Sequence, residues 1–243
     1  MRELLAVAAV ALCLCDGASA GEPWPLSDNP PVTIPGGTAL SPAAVPVELP
    51  RFRVSKFEIT NAEYERFVAE TGHRPSHFAG HPEIARSSYP VVGVSWDDAM
   101  DFCRHYGLSL PTETQWDWMA RGKEQRTYAW GDETPGSDHA NFGAETCCGP
   151  NDIDGFAGTA PVGSFPKGDT PEGVSDLTGN VWEWVDGWYE DGLVDSAGKE
   201  RKFRVLRGGA WNSDDAHLRA SYRLGYRGDF RYAANGGFRC VAP

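Results

Sequence analysis

Basic residues and long apolar runs are both scarce in this chain. It carries 22 Lys and Arg against 34 Asp and Glu, which gives a formal net charge of −12. A protein that wraps nucleic acid needs a basic surface to neutralise phosphates, so the composition argues against a nucleic-acid partner. After the first twenty residues no apolar run approaches the length that crosses a bilayer, so no membrane span is expected there.

The apolar run that does occur lies at the N-terminus. It covers residues 4–15 behind the basic residue Arg2, and Ala18-Ser19-Ala20 forms a small-x-small cleavage site. The alternative is a buried N-terminal helix, which prolines at positions 23, 25, 30 and 31 disfavour. The sequence therefore predicts a signal peptide over residues 1–20 and a periplasmic or secreted mature protein.

Cysteine is sparse as well, with six in total, of which two leave with the predicted signal peptide. An exported compartment is oxidising, so pairing of Cys103, Cys147, Cys148 and Cys240 is the default expectation. Cys147 and Cys148 are adjacent, and Cα atoms about 3.8 Å apart are too close for an ordinary disulfide. They form either a redox or metal site or, as we favour, a strained bridge or thiol pair without a catalytic role.

The basic residues that are present concentrate near the C-terminus. Residues 201–240 carry nine Lys and Arg against three acidic residues. One interpretation is that this segment threads through an acidic body and pairs with it, and the other is an Arg-lined pocket for an anionic or peptide substrate. The first interpretation is favoured.

Three capping boxes predict three helices, each followed by apolar residues at helical spacing. The boxes pair Thr60 with Glu63, Ser95 with Asp98 and Thr112 with Gln115. The stop signals of the three helices are Gly72, Gly107 and Gly122. The second helix places Cys103 on its inward stripe, where it could reach a distant cysteine.

Periodicity is weak between residues 123 and 180, where Gly, Pro, Asp and Asn dominate. A long irregular stretch in a compact domain is either mobile or held by something other than a core, and calcium is the natural candidate. Strand-like runs follow at residues 181–185, 203–207 and 238–241. Residues 21–44 are Pro-rich and are expected to form an N-terminal arm ahead of a first edge strand near residues 45–49.

Seven sequence motifs follow one another along the chain: FEITNAEYERFV, YPVVGVSWDDAMDFC, LPTETQWDWMARG, TAPVGSF, LTGNVWEW, RGGAW and GFRC. In this order they resemble the sulfatase-modifying-factor family, whose founding member is the formylglycine-generating enzyme. The resemblance covers residues 45–243 and implies one domain of mixed α/β structure, with much irregular chain and a fold related to C-type lectins.

The resemblance also implies two calcium sites and one disulfide. The first site combines the side chains of Asn141 and Asp154 with the carbonyls of Phe142 and Phe156. The second combines the side chains of Asp176 and Glu183 with the carbonyls of Gly179 and Val181. Calcium prefers such hard oxygen donors, although Asp is common in ordinary turns too. The implied disulfide joins Cys103 to Cys240.

The resemblance breaks after RGGAW, where the formylglycine-generating enzyme carries two cysteines that bind copper(I) as thiolates. Ser213 occupies the first position, and the second falls near Leu218. Hydroxyls do not replace soft thiolates on copper(I), so copper is not expected as a cofactor. The candidate catalytic groups at this altered centre are Trp182, Ser213, Asp214, His217 and Arg219, with Trp211 and Tyr222 nearby.

Two functions fit this pattern. The first is maturation of a protein or peptide substrate, by oxidation or another modification that does not use paired copper thiolates. The second is a non-catalytic, lectin-like binding or accessory module. Convergence of Asp214, Asp215 and His217 with Arg219 in a closed cleft would favour an enzyme, and an open face would favour a binding module. The complete set of family motifs around an altered centre favours maturation.

Overall fold

The computed structural model describes residues 23–143, 154–190 and 202–242. The predicted signal peptide and the pair Cys147-Cys148 lie outside these residues. The strands and helices, in chain order, are β1 (Pro31–Ile34), β2 (Gly37–Leu40), β3 (Pro46–Leu49), β4 (Phe52–Ser55), α1 (Asn61–Thr71), α2 (Trp96–His105), α3 (Glu113–Arg121), β5 (Trp182–Tyr189), β6 (Phe203–Arg207), α4 (Asp215–Leu218), β7 (Leu224–Tyr226), β8 (Gly236–Phe238) and β9 (Val241–Ala242).

Three small sheets organise the strands. One has the order β1-β4-β9, a second is the hairpin β2-β3, and the third has the order β7-β6-β5-β8. The β5–β8 pair is parallel and the other pairs are antiparallel. The mixed α/β architecture with long irregular connections is therefore confirmed. Among the residues described, no helix is long and apolar enough to cross a membrane.

All three predicted helices are present, and each begins at its predicted cap. Thr60, Ser95 and Thr112 accept a hydrogen bond from the backbone three residues later, and the return bond to the cap is also made. Both halves of each capping box are thus formed, so two backbone N–H groups are satisfied at each helix start. Helix α1 stops at Gly72 with φ 73°, a left-handed conformation that glycine adopts without strain.

The main core lies between helices α1 and α2 and the strands at the C-terminal end of the chain. Phe102 of α2 packs edge-on against Phe238 of β8, with ring centroids 5.3 Å apart, and both side chains are fully buried. The next residue of α2, Cys103, is bonded to Cys240, with Cα atoms 5.7 Å apart. The inward stripe of α2 is therefore fixed to the C-terminal strands by both packing and a covalent link.

The segment before residue 45 contains two strands that the sequence analysis did not predict. Strand β1 pairs with β4 along its whole length, and Ile34 at its end is buried. Proline obscured this strand, but Pro31 is its first residue and β1 is the outer strand of its sheet, where a missing N–H is tolerated. Trp118 of α3 then holds the turn that follows by donating from Nε1 to the Pro35 carbonyl at 2.9 Å.

The predicted strand over residues 238–241 is interrupted. Strand β8 ends at Phe238 and pairs with β5, whereas β9 begins at Val241 and pairs with β4. Between them the side chain of Arg239 is fully buried and ion-paired with Glu183. The chain passes from one sheet to the other at this residue, which explains why one strand-like run gives two short strands.

Candidate functional site

The Gly-Gly step after β6 leads the chain to Ser213, where the resemblance implies the first of the two missing cysteines. Gly208 and Gly209 have φ values of 97° and 80°. A Cβ on Gly208 would lie 2.9 Å from the Leu177 carbonyl oxygen, and one on Gly209 would lie 2.9 Å from Leu218. Both the left-handed backbone and the close approach require glycine here.

Neither position of the absent cysteine pair offers a metal donor. Ser213 is buried, and its hydroxyl accepts a hydrogen bond from the backbone N–H of Ala210 at 3.0 Å. Leu218 is fully buried in an apolar cluster with Tyr128, Ala140 and Phe142. The hydroxyl therefore shapes the local turn, and the leucine fills the core beside it.

Asp214 and His217 form the one direct contact among the candidate catalytic residues. Asp214 caps the short helix α4 by accepting from the backbone N–H of His217 at 3.1 Å, and its Oδ1 lies 2.5 Å from His217 Nδ1. The hydrogen bond from His217 holds the pKa of Asp214 below its usual range. The His217 ring lies 4.6 Å from the ring of Tyr222, which in turn lies 5.9 Å from that of Trp182.

The other candidates do not join this pair in a closed cleft. Asp215 and Arg219 are exposed, and Trp182 is buried beneath Tyr222. Asp214 and His217 themselves keep 30% and 26% of their side-chain surface exposed. Asp214, Asp215, His217 and Arg219 thus lie on an open face, whereas Ser213 and Trp182 are buried beneath it.

A cavity of about 450 Å³ lies beside Trp211. Trp211 is held by a hydrogen bond from its Nε1 to the Ala234 carbonyl at 3.1 Å. The cavity is also lined by polar side chains that the sequence analysis did not select, from the irregular segment that leads into the motif YPVVGVSWDDAMDFC. They are His81, Glu83, Arg86 and, at the start of that motif, Tyr89.

The residues of the first implied calcium site lie together. Asp154 accepts hydrogen bonds from the backbone N–H groups of Phe142 and Phe156, at 2.8 and 3.0 Å. Asn141 is buried, its Nδ2 donates to Gly158 and Asn180, and its Oδ1 has no hydrogen-bond partner within the described part of the chain. A buried carbonyl oxygen without a partner is costly, and a cation would satisfy it. This set of donors fits calcium.

The second implied site is arranged differently from the expectation. Both oxygens of Glu183 accept hydrogen bonds from Arg239, at 2.6 to 2.9 Å, and Oε2 also accepts from Trp116 Nε1 at 2.7 Å. Asp176 is buried in a left-handed conformation with φ 59°, and its Oδ2 accepts from the N–H of Gly163. Burial raises the pKa of Asp176 to about 6.

Glu58 completes this buried cluster and was missed by the sequence analysis. It lies within the motif FEITNAEYERFV, yet nothing in the spacing of that motif points to the distant loop that it contacts. Its carboxylate accepts from the N–H of Val181 at 3.1 Å and from Asn180 Nδ2 at 2.6 Å. Burial raises the pKa of Glu58 well above its usual range, and Asp176 and Glu183 add to the effect.

Three buried carboxyl groups in this cluster face one buried cation, Arg239. That excess of negative charge fits a divalent ion in the neighbourhood of Asp176. Across the described ranges, no three His, Cys, Asp or Glu side chains group closely enough to hold a metal by themselves. Any calcium here would therefore depend on backbone and amide oxygens as well.

Residues 23–243 match the family model described as the sulfatase-modifying factor enzyme 1-like domain. The chain belongs to this family.

Relatives within the family fall into active and inactive members. The formylglycine-generating enzyme of Streptomyces coelicolor is 33% identical, over 80% of this chain and 79% of its own. The mouse formylglycine-generating enzyme is 30% identical, over 79% of this chain and 66% of its own. The bovine inactive Cα-formylglycine-generating enzyme 2 is 35% identical, over 63% of this chain and half of its own. The family thus includes oxidative enzymes and a member named as inactive.

Solved structures confirm the family fold. CarF superposes with a TM-score of 0.67 at 21% identity, covering 90% of this chain and 99% of its own. PvdO from Pseudomonas aeruginosa superposes with a TM-score of 0.66 at 22% identity, covering 87% of this chain and 93% of its own. The formylglycine-generating-enzyme-type fold of this chain is therefore established.

Proposed function

We propose that this chain is an exported member of the family that takes part in the maturation of a protein or peptide without copper-thiolate chemistry. The proposal rests on the contacts that Ser213 and Leu218 make, since these residues stand at or near the expected positions of the two copper-binding cysteines. The Ser213 hydroxyl is committed to the Ala210 N–H, and Leu218 is part of an apolar cluster. A soft metal ion would find no ligand at either position.

Recognition of the partner is assigned to the cavity beside Trp211. Its lining combines an aromatic wall, from Trp211 and Tyr89, with the opposite charges of Glu83 and Arg86. Concave surfaces with aromatic walls and a few polar groups are typical ligand sites, and Trp, Tyr and Arg dominate recognition energetics. A peptide segment with both apolar and polar side chains suits this lining.

Any chemistry would be proton transfer by the Asp214–His217 pair. Asp214 contacts His217 Nδ1, which leaves Nε2 as the nitrogen that could exchange a proton with a ligand. The exposed positions of Asp215 and Arg219 favour a second candidate function, a binding module without catalysis. Both candidates use the same recognition surface and differ in whether the partner is changed.

Calcium is proposed as a structural cofactor of the irregular segment. Asn141 and Asp154, with the carbonyls of Phe142 and Phe156, would hold one ion. Asp176 with the carbonyls of Gly179 and Val181 would hold the other, with Glu183 reaching it only if its bonds to Arg239 rearrange. The ions would supply charge compensation and cross-links between loops.

The proposal is tested by co-expressing the full chain with candidate exported peptides and measuring their intact masses. A mass change that requires the protein and is lost in His217→Ala would establish maturation chemistry. Capture of an unmodified peptide that is lost in Trp211→Ala would establish the binding module. If the wild type neither captures nor alters any peptide encoded beside it, the proposal is wrong.

Export is tested separately by N-terminal sequencing of the protein recovered outside the cytoplasm. Cleavage after Ala20 should leave Gly21 as the first residue. Recovery with Met1 still in place would contradict the signal peptide.

A further inference from the structure

A second cavity, of about 200 Å³, lies between α3, the end of β6 and the turn after β2. Its lining residues are different from those around Trp211. Five of them carry charge: Arg121, Arg207 and Arg223, with Glu113 and Asp117. Three guanidinium groups against two carboxylates leave one positive charge in excess.

The two carboxylates are already committed to the guanidinium groups. Glu113 accepts from Arg207 Nη1 at 2.7 Å and from both Nε and Nη2 of Arg223, at 2.5 and 2.9 Å. Asp117 accepts from Arg207 Nη2 at 2.8 Å and from Arg121 at 3.5 Å. Arg121 is therefore the most weakly compensated of the three cations.

Arg207 also has one donor without an acceptor. Its side chain is only 3% exposed, and its Nε has no hydrogen-bond partner among the described residues. This nitrogen is buried beneath the cavity surface, so a ligand in the cavity does not reach it. The charge excess, with Arg121 as its least compensated member, is what favours an additional anionic acceptor.

The turn that borders the cavity is held in an uncommon conformation. Ala44 has φ 57°, in the left-handed region that a side chain disfavours. It is kept there by a hydrogen bond from its N–H to the Ser41 carbonyl at 2.8 Å, while the Ser41 hydroxyl accepts from Val45. Backbone strain of this kind is concentrated at sites with a function.

We propose that this cavity binds a small carboxylate, whose oxygens would accept hydrogen bonds from Arg121. The volume is below the roughly 300–1,000 Å³ of sites for drug-sized ligands, so the ligand is a compact organic acid or a single carboxylate group. Guanidinium groups match carboxylate geometry through parallel hydrogen bonds. The site is independent of the function proposed for the Trp211 cavity.

Ser221 allows a test that does not disturb the charge network. This residue lines the cavity and is exposed at its rim. Ser221→Asp would supply a carboxylate from within the chain, and Ser221→Asn is the matched control of equal size without the charge. The probe is succinate, titrated into the full mature protein at constant ionic strength maintained with sodium chloride, with succinamide as its uncharged counterpart.

Succinate should raise the melting temperature of the wild type saturably and bind in calorimetry, whereas succinamide should not. The Ser221→Asp variant should melt higher than wild type and lose succinate affinity by roughly tenfold or more, while Ser221→Asn keeps it. Arg121→Gln should lower the affinity for succinate without changing the fold. No saturable response in the wild type, an equal response to chloride, or unchanged affinity in Ser221→Asp would each overturn the proposal.

Discussion

Single residues decide which chemistry the altered centre can support. A serine hydroxyl is a hard oxygen donor and stays protonated at neutral pH, so it cannot replace a thiolate on copper(I). In this chain the Ser213 hydroxyl is also engaged by a backbone N–H, and Leu218, near the expected second position, is buried in an apolar cluster. Neither residue offers copper(I) a thiolate, so the absence of copper chemistry stays a prediction.

The first prediction concerns this centre. The purified protein, with or without copper, should leave a sulfatase-type cysteine peptide unconverted in a mass-spectrometric assay, while the Streptomyces enzyme converts it. Formylglycine formation that disappears in a Cys147→Ser/Cys148→Ser variant would contradict the prediction and show that other thiolates serve the metal.

The second prediction concerns the buried pair of Arg239 and Glu183. Both side chains are fully buried, so removing the arginine leaves an uncompensated charge. Arg239→Met should lower the free energy of unfolding by about 3–5 kcal/mol, measured by urea denaturation.

The exposed pair of Arg227 and Asp229 provides the matched control. Arg227→Met should leave the urea midpoint unchanged, because solvent screens this pair. Adding Glu183→Leu to Arg239→Met should recover part of the loss. Equal midpoints for the two single arginine variants would refute the argument from burial.

At this scale the sequence does not show which side chains meet across the chain. Asp154 contacts the Phe142 N–H beside Asn141, and the calcium site that the resemblance implies there stays a prediction. Glu58 could not be found, because its contacts with Asn180 and Val181 span more than 120 residues and leave no local pattern. The same holds for Arg239, whose carboxylate partner depends on how β5 and β8 align.

At the scale of elements, the sequence predicted the helices from their local capping signals but did not predict which strands form and pair. The helices begin where the capping boxes indicate because a cap is complete within four residues. Strands β1 and β2 were missed because a strand is stabilised by a neighbour that can lie anywhere in the chain. Proline near β1 biased the expectation towards an irregular arm, although the outer position of the strand tolerates it.

The third prediction concerns the irregular segment from 123 to 180. Calcium should raise the melting temperature of the chelator-treated protein. At a hundredfold excess of calcium over the dissociation constant, the free energy of unfolding should rise by about 2.7 kcal/mol. Magnesium at equal concentration should do less, because it demands smaller and more regular coordination.

Asp176→Asn should reduce the calcium gain, because it removes a buried charge from the second site. Asp138→Asn is the matched control, since this aspartate lies in the same segment but pairs with Lys167 at the surface. Glu183 is unsuitable for this test because replacing it would also leave the buried Arg239 without its carboxylate partner. A melting temperature that does not respond to EGTA would contradict both sites.

At the scale of the molecule, the basic C-terminal segment is threaded through acidic surroundings. Arg204 pairs with Asp186, Arg207 with Glu113 and Asp117, and Arg239 with Glu183. The charge asymmetry of the sequence therefore reflects pairing within the fold. In the cavity at Arg207 this pairing is incomplete, because three arginines face two carboxylates.

The fourth prediction concerns the link between α2 and the C-terminal strands. Cys103 and Cys240 are 137 residues apart in sequence, so their disulfide closes a long loop. Loop closure of this length should stabilise the fold by about 4–5 kcal/mol in the chain-entropy model, as an upper figure. Non-reducing peptide mapping should recover the two cysteines in one cross-linked fragment.

Reduction should lower the urea midpoint, and the experiment is cleanest in a Cys147→Ser/Cys148→Ser background, where Cys103 and Cys240 are the remaining thiols of the mature chain. Cys103→Ala/Cys240→Ala in that background should melt at the same lower temperature with or without reductant. Mapping that recovers both residues as free thiols would refute the link.

The pairing of β4 with β9 has a consequence for how the protein is made. Val54 pairs with Val241, so β4 leaves the ribosome roughly 190 residues before its second neighbour exists. At about 5–20 residues per second, that delay is roughly 10–40 s, during which one edge of β4 stays unpaired. Unpaired edges recruit other strands, so the nascent chain should depend on a holding chaperone until its last strand arrives.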